Sequence, residues 1–180
     1  MTPTKGVGAA LAVVGVGYTV MFLVGRPFLL PLATPWPLWS WFVACALATG
    51  ALAGVAADRG VARGLASGAG FLGAWLLVFP LVELAFGYFL PERPIVFGLA
   101  LGVQLVVVLP PRSALAWLWR LLIPLGVDLF ISLVVSPQDR LGFVGIFWIA
   151  GMLLIVWSLE ATLGARHRPT RSLLTGGPIG

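Results

Sequence analysis

The chain has 180 residues, of which 60% are hydrophobic and only 9% are charged, and its mean hydropathy is +1.06. A soluble domain carries about 25% charged residues, because its outside must face water. This composition therefore excludes an ordinary water-soluble domain. The single cysteine, Cys45, also excludes an internal disulfide.

The formal charge of +5 does not indicate a nucleic-acid partner. The basic residues stand at the ends of apolar runs, and that placement orients membrane proteins. We therefore expect the lipid bilayer to be the main partner of the chain and no nucleic acid to bind it.

Apolar runs recur along the chain, and most reach the ~20 residues that cross a hydrocarbon core about 30 Å thick. They predict an all-α fold, a polytopic integral membrane bundle of about six transmembrane helices in a single domain, 1–180. The first run follows Lys5, but no small-x-small cleavage site follows closely, so we expect a retained helix rather than a signal peptide. The predicted helices span residues 6–25, 38–57, 65–87, 95–109, 114–135 and 142–164, before a basic tail at 165–180.

Small residues recur on the first two predicted helices, and small faces let helices approach closely in lipid. One interpretation is packing inside the bundle. The other is docking of a second protein, and the sequence favours at least one protein partner there. The residues concerned are Gly8, Ala12, Gly15, Ala46, Gly50 and Gly54.

The connections between the predicted helices carry turn residues. Asp58-Arg59-Gly60 predicts a tight turn, as does the segment 91–94, which holds Pro91 and Pro94. Pro110 and Pro111 predict the end of the fourth helix, because consecutive prolines remove two backbone donors. Tryptophans at 36, 39 and 41 suggest that residues 26–41 lie in the membrane interface.

The distribution of basic residues predicts the orientation of the chain. An even number of helices places the N-terminus, the second and fourth turns and the C-terminal tail on one side. That side holds most of the cations, which are Lys5, Arg59, Arg63, Arg112, Arg166, Arg168 and Arg171. By the positive-inside rule, we expect a multi-pass protein of the cytoplasmic membrane with both termini in the cytoplasm.

Four polar residues fall inside the predicted spans: Glu83, Gln104, Arg120 and Asp128. An ionisable group near mid-membrane costs about 2.5–3.5 kcal/mol on insertion scales, so it usually has a function or a partner. We treat Asp128, Glu83 and Gln104 as candidate ligand-binding or ion-binding residues. The alternative is a structural role in hydrogen bonds or ion pairs between helices.

The two acids share a local pattern, with a proline three or four residues before each. Pro80 and Pro124 lie 44 residues apart, which is consistent with a repeated two-helix hairpin. A helical proline leaves the carbonyl four residues earlier without its partner, here Leu76 and Arg120. A freed carbonyl beside a carboxylate is a plausible position for a cation or a proton.

Arg120 follows two tryptophans in Trp117-Leu118-Trp119-Arg120, which is typical of an interfacial anchor whose charged end snorkels to water. Pairing with Asp128 on the same helix is the alternative. We expect Glu160, near the end of the sixth helix, to pair with the basic tail.

Several chemistries are disfavoured by missing residue types. The only histidine, His167, lies in the tail, and the only lysine, Lys5, precedes the first helix. A haem held by two histidines and a retinal Schiff base therefore have no ligands within the bundle. We predict no cofactor and no metal site. Catalysis by a nucleophile and base is disfavoured, whereas an enzyme that uses acids alone stays open.

In size, helix number and inferred topology, the whole chain resembles the six-helix substrate-capture components of energy-coupling-factor vitamin transporters. It also resembles the bundle-forming partners of cell-shape proteins. These resemblances imply two functions: a transport component or channel-like subunit for a small solute or ion, or a non-catalytic membrane subunit or scaffold. A third hypothesis is an acid-dependent enzyme that modifies a lipid or isoprenoid.

Overall fold

The computed structural model describes residues 3–24, 36–86, 92–111, 113–134 and 141–166, and these residues form helices and turns without a strand. Because the apolar runs are long and the turns short, each run forms one helix. The six helices are α1 (Pro3–Val24), α2 (Trp36–Ala56), α3 (Val61–Phe86), α4 (Glu92–Val108), α5 (Ala114–Val134) and α6 (Leu141–Arg166). The predicted all-helical fold is confirmed, and the interface segment at 26–35 lies outside the described residues.

Five of the six helices begin earlier than the sequence indicated. Pro37 and Pro94 lie in the first turns of α2 and α4, although 91–94 was expected to be a turn. Proline is tolerated there, because the first N–H groups of a helix have no intrahelical acceptor. α3 begins at Val61 rather than at residue 65, directly after the turn in which Asp58 and Gly60 have positive φ angles of 57° and 82°.

The helices form a closed ring in chain order. Each helix packs against the one before and the one after it, α6 returns to α1, and α2 also touches α4. Contacting positions run in opposite directions along the pairs α1–α2, α2–α3, α4–α5 and α1–α6, so these neighbouring helices are antiparallel. Short connections such as residues 57–60 and 109–113 leave no length for a parallel crossover.

The pair α2–α3 is held by contact between the two backbones. A Cβ atom added at Gly50 would lie 2.7 Å from the nitrogen of Gly68, and one at Gly54 would lie 2.6 Å from the Cα of Gly64. Such approach requires glycine on both helices. The small face of α2, including the fully buried Ala46, therefore packs against α3.

The pair α4–α5 is also held by close contact between the two backbones at glycine residues. Cβ atoms added at Gly98 and Gly102 would lie 2.8 Å from the Cα of Leu125 and 3.0 Å from the carbonyl oxygen of Arg120. That carbonyl is the one that Pro124 deprives of its helical donor. Pro124 is fully buried, whereas Pro80 of α3 is exposed, so the two prolines of the proposed repeat have different surroundings.

Helix α1 places its small residues against its own neighbours. A Cβ at Gly8 would lie 3.3 Å from Nε1 of Trp157 on α6, and one at Gly15 would lie 2.9 Å from Leu153. Ala12 is exposed. Of the α1 residues expected to dock a partner, Gly8 and Gly15 therefore pack inside the ring, and only Ala12 faces outward.

The outside of the ring is apolar. Leu77 and Leu84 on α3 are 70% and 86% exposed, and exposed leucine, valine, phenylalanine or tryptophan side chains occur on every helix except α4. Among the described residues, helix α4 contributes more of the buried core than any other helix. Two helical segments, Trp36–Ala56 and Val61–Val82, are long and apolar enough to cross a membrane.

Candidate functional site

Tyr18 and Gln104 meet in the interior of the ring. Side chains lean toward the N-terminus of their helix, so residues on the antiparallel helices α1 and α4 lean toward each other along the bundle axis. The Tyr18 hydroxyl donates a hydrogen bond to Oε1 of Gln104, and both side chains are 0% exposed. This contact spans the ring, because α1 and α4 share no closer backbone packing among the described residues.

The Gln104 amide is only half satisfied. Its Nε2 is buried and has no hydrogen-bond partner in the described part of the chain. Exchanging the amide oxygen and nitrogen would let Nε2 donate to Tyr18, but the carbonyl oxygen would then lack a partner. One polar atom is therefore unpaired in either orientation, and a buried unpaired polar group costs about 1–3 kcal/mol.

Aromatic rings surround this polar pair. Tyr18 lies 4.9 Å from Phe71 of α3 and 5.5 Å from Phe97 of α4, measured between ring centroids. Phe42 of α2 and Trp75 of α3 extend the cluster, at 5.8 Å and 6.1 Å from Phe71. Four helices thus contribute to one aromatic interior, which we call the aromatic cluster and define as Tyr18, Phe42, Phe71, Trp75 and Phe97.

The surroundings distinguish Gln104 from two other buried polar residues, Ser67 and Arg120. Ser67 is also 0% exposed, but its hydroxyl donates to the Gly64 carbonyl of its own helix at 2.7 Å. Arg120 has its own partners. Gln104 alone among these three presents a free donor, and it does so at the centre of the ring.

The structure places Arg120 in the interior, not at the interface. Its side chain is 5% exposed, and the guanidinium forms an ion pair with Glu160 of α6, with Nε donating to Oε1 at 2.8 Å. The same guanidinium donates to the carbonyl of Leu109, just beyond the end of α4. This three-helix contact replaces the expected snorkelling of Arg120. The side chains of the basic tail, with which Glu160 was expected to pair, lie outside the described part of the chain.

The acids Glu83 and Asp128 lie on α3 and α5, but their side chains are outside the part that the structure describes. Their backbones are distant from Gln104. Gly70 packs at the level of Val103 and Val107, so Glu83 lies about 20 Å further along the bundle at 1.5 Å per residue. Gly102 faces Arg120 in the same way, which places Asp128 about 15 Å from the level of Gln104.

The two acids also lie on different sides of α4. Both α3 and α5 pack on α4, and the described parts of α3 and α5 do not touch each other. The backbone therefore separates the three candidate binding residues. Gln104 lies in the interior, and Glu83 and Asp128 lie nearer the end of the bundle at which α3 and α5 finish. Among the described residues, no three potential ligands gather as a metal site would require.

Sequence reasoning identified Gln104 but missed Tyr18 and the aromatic cluster. Only two tyrosines occur in the chain, and Tyr18 stands alone inside a predicted span. A phenol in the middle of an apolar helix needs a partner, just as Gln104 does. That shared need was the available signal. The need for a partner does not always identify one, because the buried Nε1 of Trp119 has no partner among the described residues.

Comparison of the chain with known proteins found no match. No protein-family model matches it, and no match is found among curated proteins or solved structures. The function is therefore argued from the geometry of the site alone.

Proposed function

We propose that this chain is a six-span protein of the cytoplasmic membrane that acts as a transport component or channel-like subunit for a small solute or ion. The observation that carries the proposal is the unpaired amide of Gln104, held by Tyr18 at the centre of a closed helical ring. Such a group is costly to bury, and a passing solute is the kind of partner that would satisfy it.

The membrane part of the proposal rests on an inverted distribution of polarity. The charged pair Arg120–Glu160 and the amide of Gln104 lie inside, while leucines such as Leu76 and Leu81 are 67% and 64% exposed. A water-soluble monomer rarely exposes large continuous apolar surfaces. A hydrocarbon solvent outside the ring removes that conflict.

The dimensions of the ring fit a bilayer. Helix α2 has 21 residues, or about 32 Å at 1.5 Å per residue, against a hydrocarbon core of about 30 Å. Exposed tryptophans stand near both ends of the ring, with Trp36 at the start of α2 and Trp117 at the start of α5. Tryptophan prefers both membrane interfaces, so these residues fit aromatic belts.

The charges at one end support the proposed orientation. Lys5, Arg59 and Arg63 are exposed at the end of the ring where α1 begins and α2 turns into α3. The positive-inside rule assigns this end, here called the basic end, to the cytoplasm. An even number of spans then places both termini there.

The chemistry around Gln104 favours an uncharged solute over an ion. The free atom is an N–H donor, its neighbours are aromatic rings, and the nearest described ion pair, Arg120–Glu160, is already neutralised. A solute with one hydrogen-bond acceptor and an apolar body satisfies such a site. A bare ion would find no charged ligand among the described side chains of the aromatic cluster.

The other two hypotheses have less support. A scaffold that docks partners through the small faces of α1 and α2 would need residues that here pack inside the ring, such as Gly50 and Gly15. An acid-dependent enzyme would need acids that cooperate, and α4 separates the backbones of Glu83 and Asp128.

The test is to purify the chain from its native membranes in mild detergent and to identify bound small molecules by mass spectrometry. We expect a stoichiometric small molecule with the wild type and its loss from Gln104→Leu. The purified molecule is then offered to vesicles that contain either protein. We expect flux only with the wild type, at equal protein levels.

Ser67→Ala is the matched control, since its buried hydroxyl is satisfied within α3 and lies outside the aromatic cluster. It should retain the bound molecule. A wild type that carries no small molecule, but copurifies with another membrane protein in fixed ratio, would overturn the transport proposal and favour the subunit hypothesis.

A further inference from the structure

We propose that Arg120, Glu160 and the Leu109 carbonyl form a latch that closes the path between the Gln104 site and the basic end of the ring. The inference rests on the proposed transport function and adds to it a gate on one side. The latch is defined by the ion pair between α5 and α6 and by the guanidinium bond to the end of α4.

The latch lies on the correct level for such a gate. Leu109 follows Gln104 by five residues along α4, which is about 7 Å toward the basic end. The backbone of Arg120 lies beside Gly102, and its guanidinium extends to the Leu109 carbonyl, where it also bonds Glu160 near the end of α6. A solute that left Gln104 toward the basic end would have to pass this contact.

Among the described residues, the seam between α5 and α6 lacks the close glycine contacts that join two of the other seams. Glycines bring the backbones together in α2–α3 and α4–α5. By contrast, a Cβ added at Gly126 of α5 or at Gly151 of α6 would meet nothing within 4 Å. Among the described residues, the polar contact across this seam is the ion pair Arg120–Glu160. Separation of α5 and α6 therefore requires that pair to break, and no interlocked backbone has to part.

The chemistry of the pair suits a reversible contact. A dry ion pair is held firmly, because either partner left alone is a buried unpaired charge. The same pair in contact with water contributes little, since water solvates both ions. Entry of water into the seam would thus release the latch, and its exclusion would close it again.

Arginine has the shape that this position needs. Its planar guanidinium presents five N–H donors in a fixed fork, so one side chain bonds Glu160 and the Leu109 carbonyl together. The carbonyls at the end of a helix carry partial negative charge, which favours a cation there. Lysine keeps the charge but not the fork, so it should hold the two partners less well.

The experiment uses the full chain in inside-out membrane vesicles. Cys45→Ala removes the native thiol, and Leu105→Cys places a reporter at a fully buried position one turn deeper than Leu109. A membrane-impermeant methanethiosulfonate reagent is added, and labelling is followed by mass spectrometry of the intact protein. We expect slow labelling, and a rate at least about tenfold higher once Glu160→Gln is added.

Two further variants keep the result interpretable. Asp58→Asn neutralises an exposed acid at the same end and should leave the rate unchanged. Arg120→Lys should raise the labelling rate by less than Glu160→Gln does. It replaces Glu160→Gln in the experiment if that variant fails to accumulate. Unchanged labelling in both latch variants, with elution from a sizing column as in the wild type, would overturn the latch, as would faster labelling from right-side-out vesicles.

The labelling assay does not depend on transport. Faster labelling by Glu160→Gln in a chain that binds and moves no solute would support the gate and refute the transport function. If solute binds at Gln104 but the latch variants do not change the labelling rate, the gate is refuted and the transport function still stands.

Discussion

The hydroxyl of Tyr18 donates a hydrogen bond to Oε1 of Gln104 across 86 residues of sequence, between helices that are not neighbours in the ring. In this arrangement the hydroxyl pairs the amide oxygen and leaves the Gln104 nitrogen as the free group. Both the stability of the interior and the proposed binding chemistry depend on this single contact.

Tyr18→Phe should lower the free energy of unfolding by about 1–3 kcal/mol, because it leaves the Gln104 oxygen buried and unpaired while keeping the ring. Thermal unfolding in detergent measures the effect. Adding Gln104→Leu to Tyr18→Phe should recover part of that loss, since no unpaired polar atom then remains. A double variant whose loss equals the sum of the two single losses would show that the two groups do not interact.

Gly50→Ala should destabilise the chain by about 1–3 kcal/mol, because the new methyl group collides with the backbone of α3 and overpacking costs about that much. Gly73→Ala is the control within α3, where an added Cβ meets nothing within 4 Å. It should be neutral or slightly stabilising, since alanine favours helix more than glycine does. Equal melting temperatures for the two variants would contradict the close α2–α3 contact.

Arg120→Met alone should cost about 3–5 kcal/mol, because it leaves Glu160 partly buried without its counter-ion. The double variant Arg120→Met/Glu160→Leu should be much closer to the wild type, since no charge then needs a partner. Unfolding of the single and double variants, at matched detergent and pH, measures the coupling. Additive losses would argue against an interior pair.

Single cysteines in a Cys45→Ala background test the orientation of the ring. Arg59→Cys at the basic end should react with an impermeant thiol reagent in inside-out vesicles and not in intact cells. Trp36→Cys, exposed at the start of α2, should show the reverse. Reaction of both positions from the same side would rule out a span by α2.

The secondary structure follows from the sequence where local rules decide the outcome. Long apolar runs predicted six helices, and Asp58-Arg59-Gly60 predicted the turn between α2 and α3, in which Gly60 has the positive φ that glycine tolerates best. The predicted starts were late at Pro37 and Pro94, because a proline in the first turn of a helix costs no hydrogen bond.

The partners of the polar side chains were not predictable in the same way. Gln104 and Arg120 were both identified as unusual, but their partners, Tyr18 and Glu160, stand 86 and 40 residues away. A helix that is apolar on all sides does not show which face points inward, because it lacks the polar stripe that marks the outside of a soluble helix. The small residues of α2 gave the same ambiguity between internal packing and docking.

Composition and local turn chemistry are enough to predict that the chain is helical, apolar on its outside and basic at the end with Lys5, Arg59 and Arg63. Only the tertiary structure decided that Gln104 joins Tyr18 and that Arg120 joins Glu160 and the Leu109 carbonyl. The rotation of each helix about its own axis sets these contacts. Glycine-mediated packing between neighbours fixes that rotation, and no single helix encodes it.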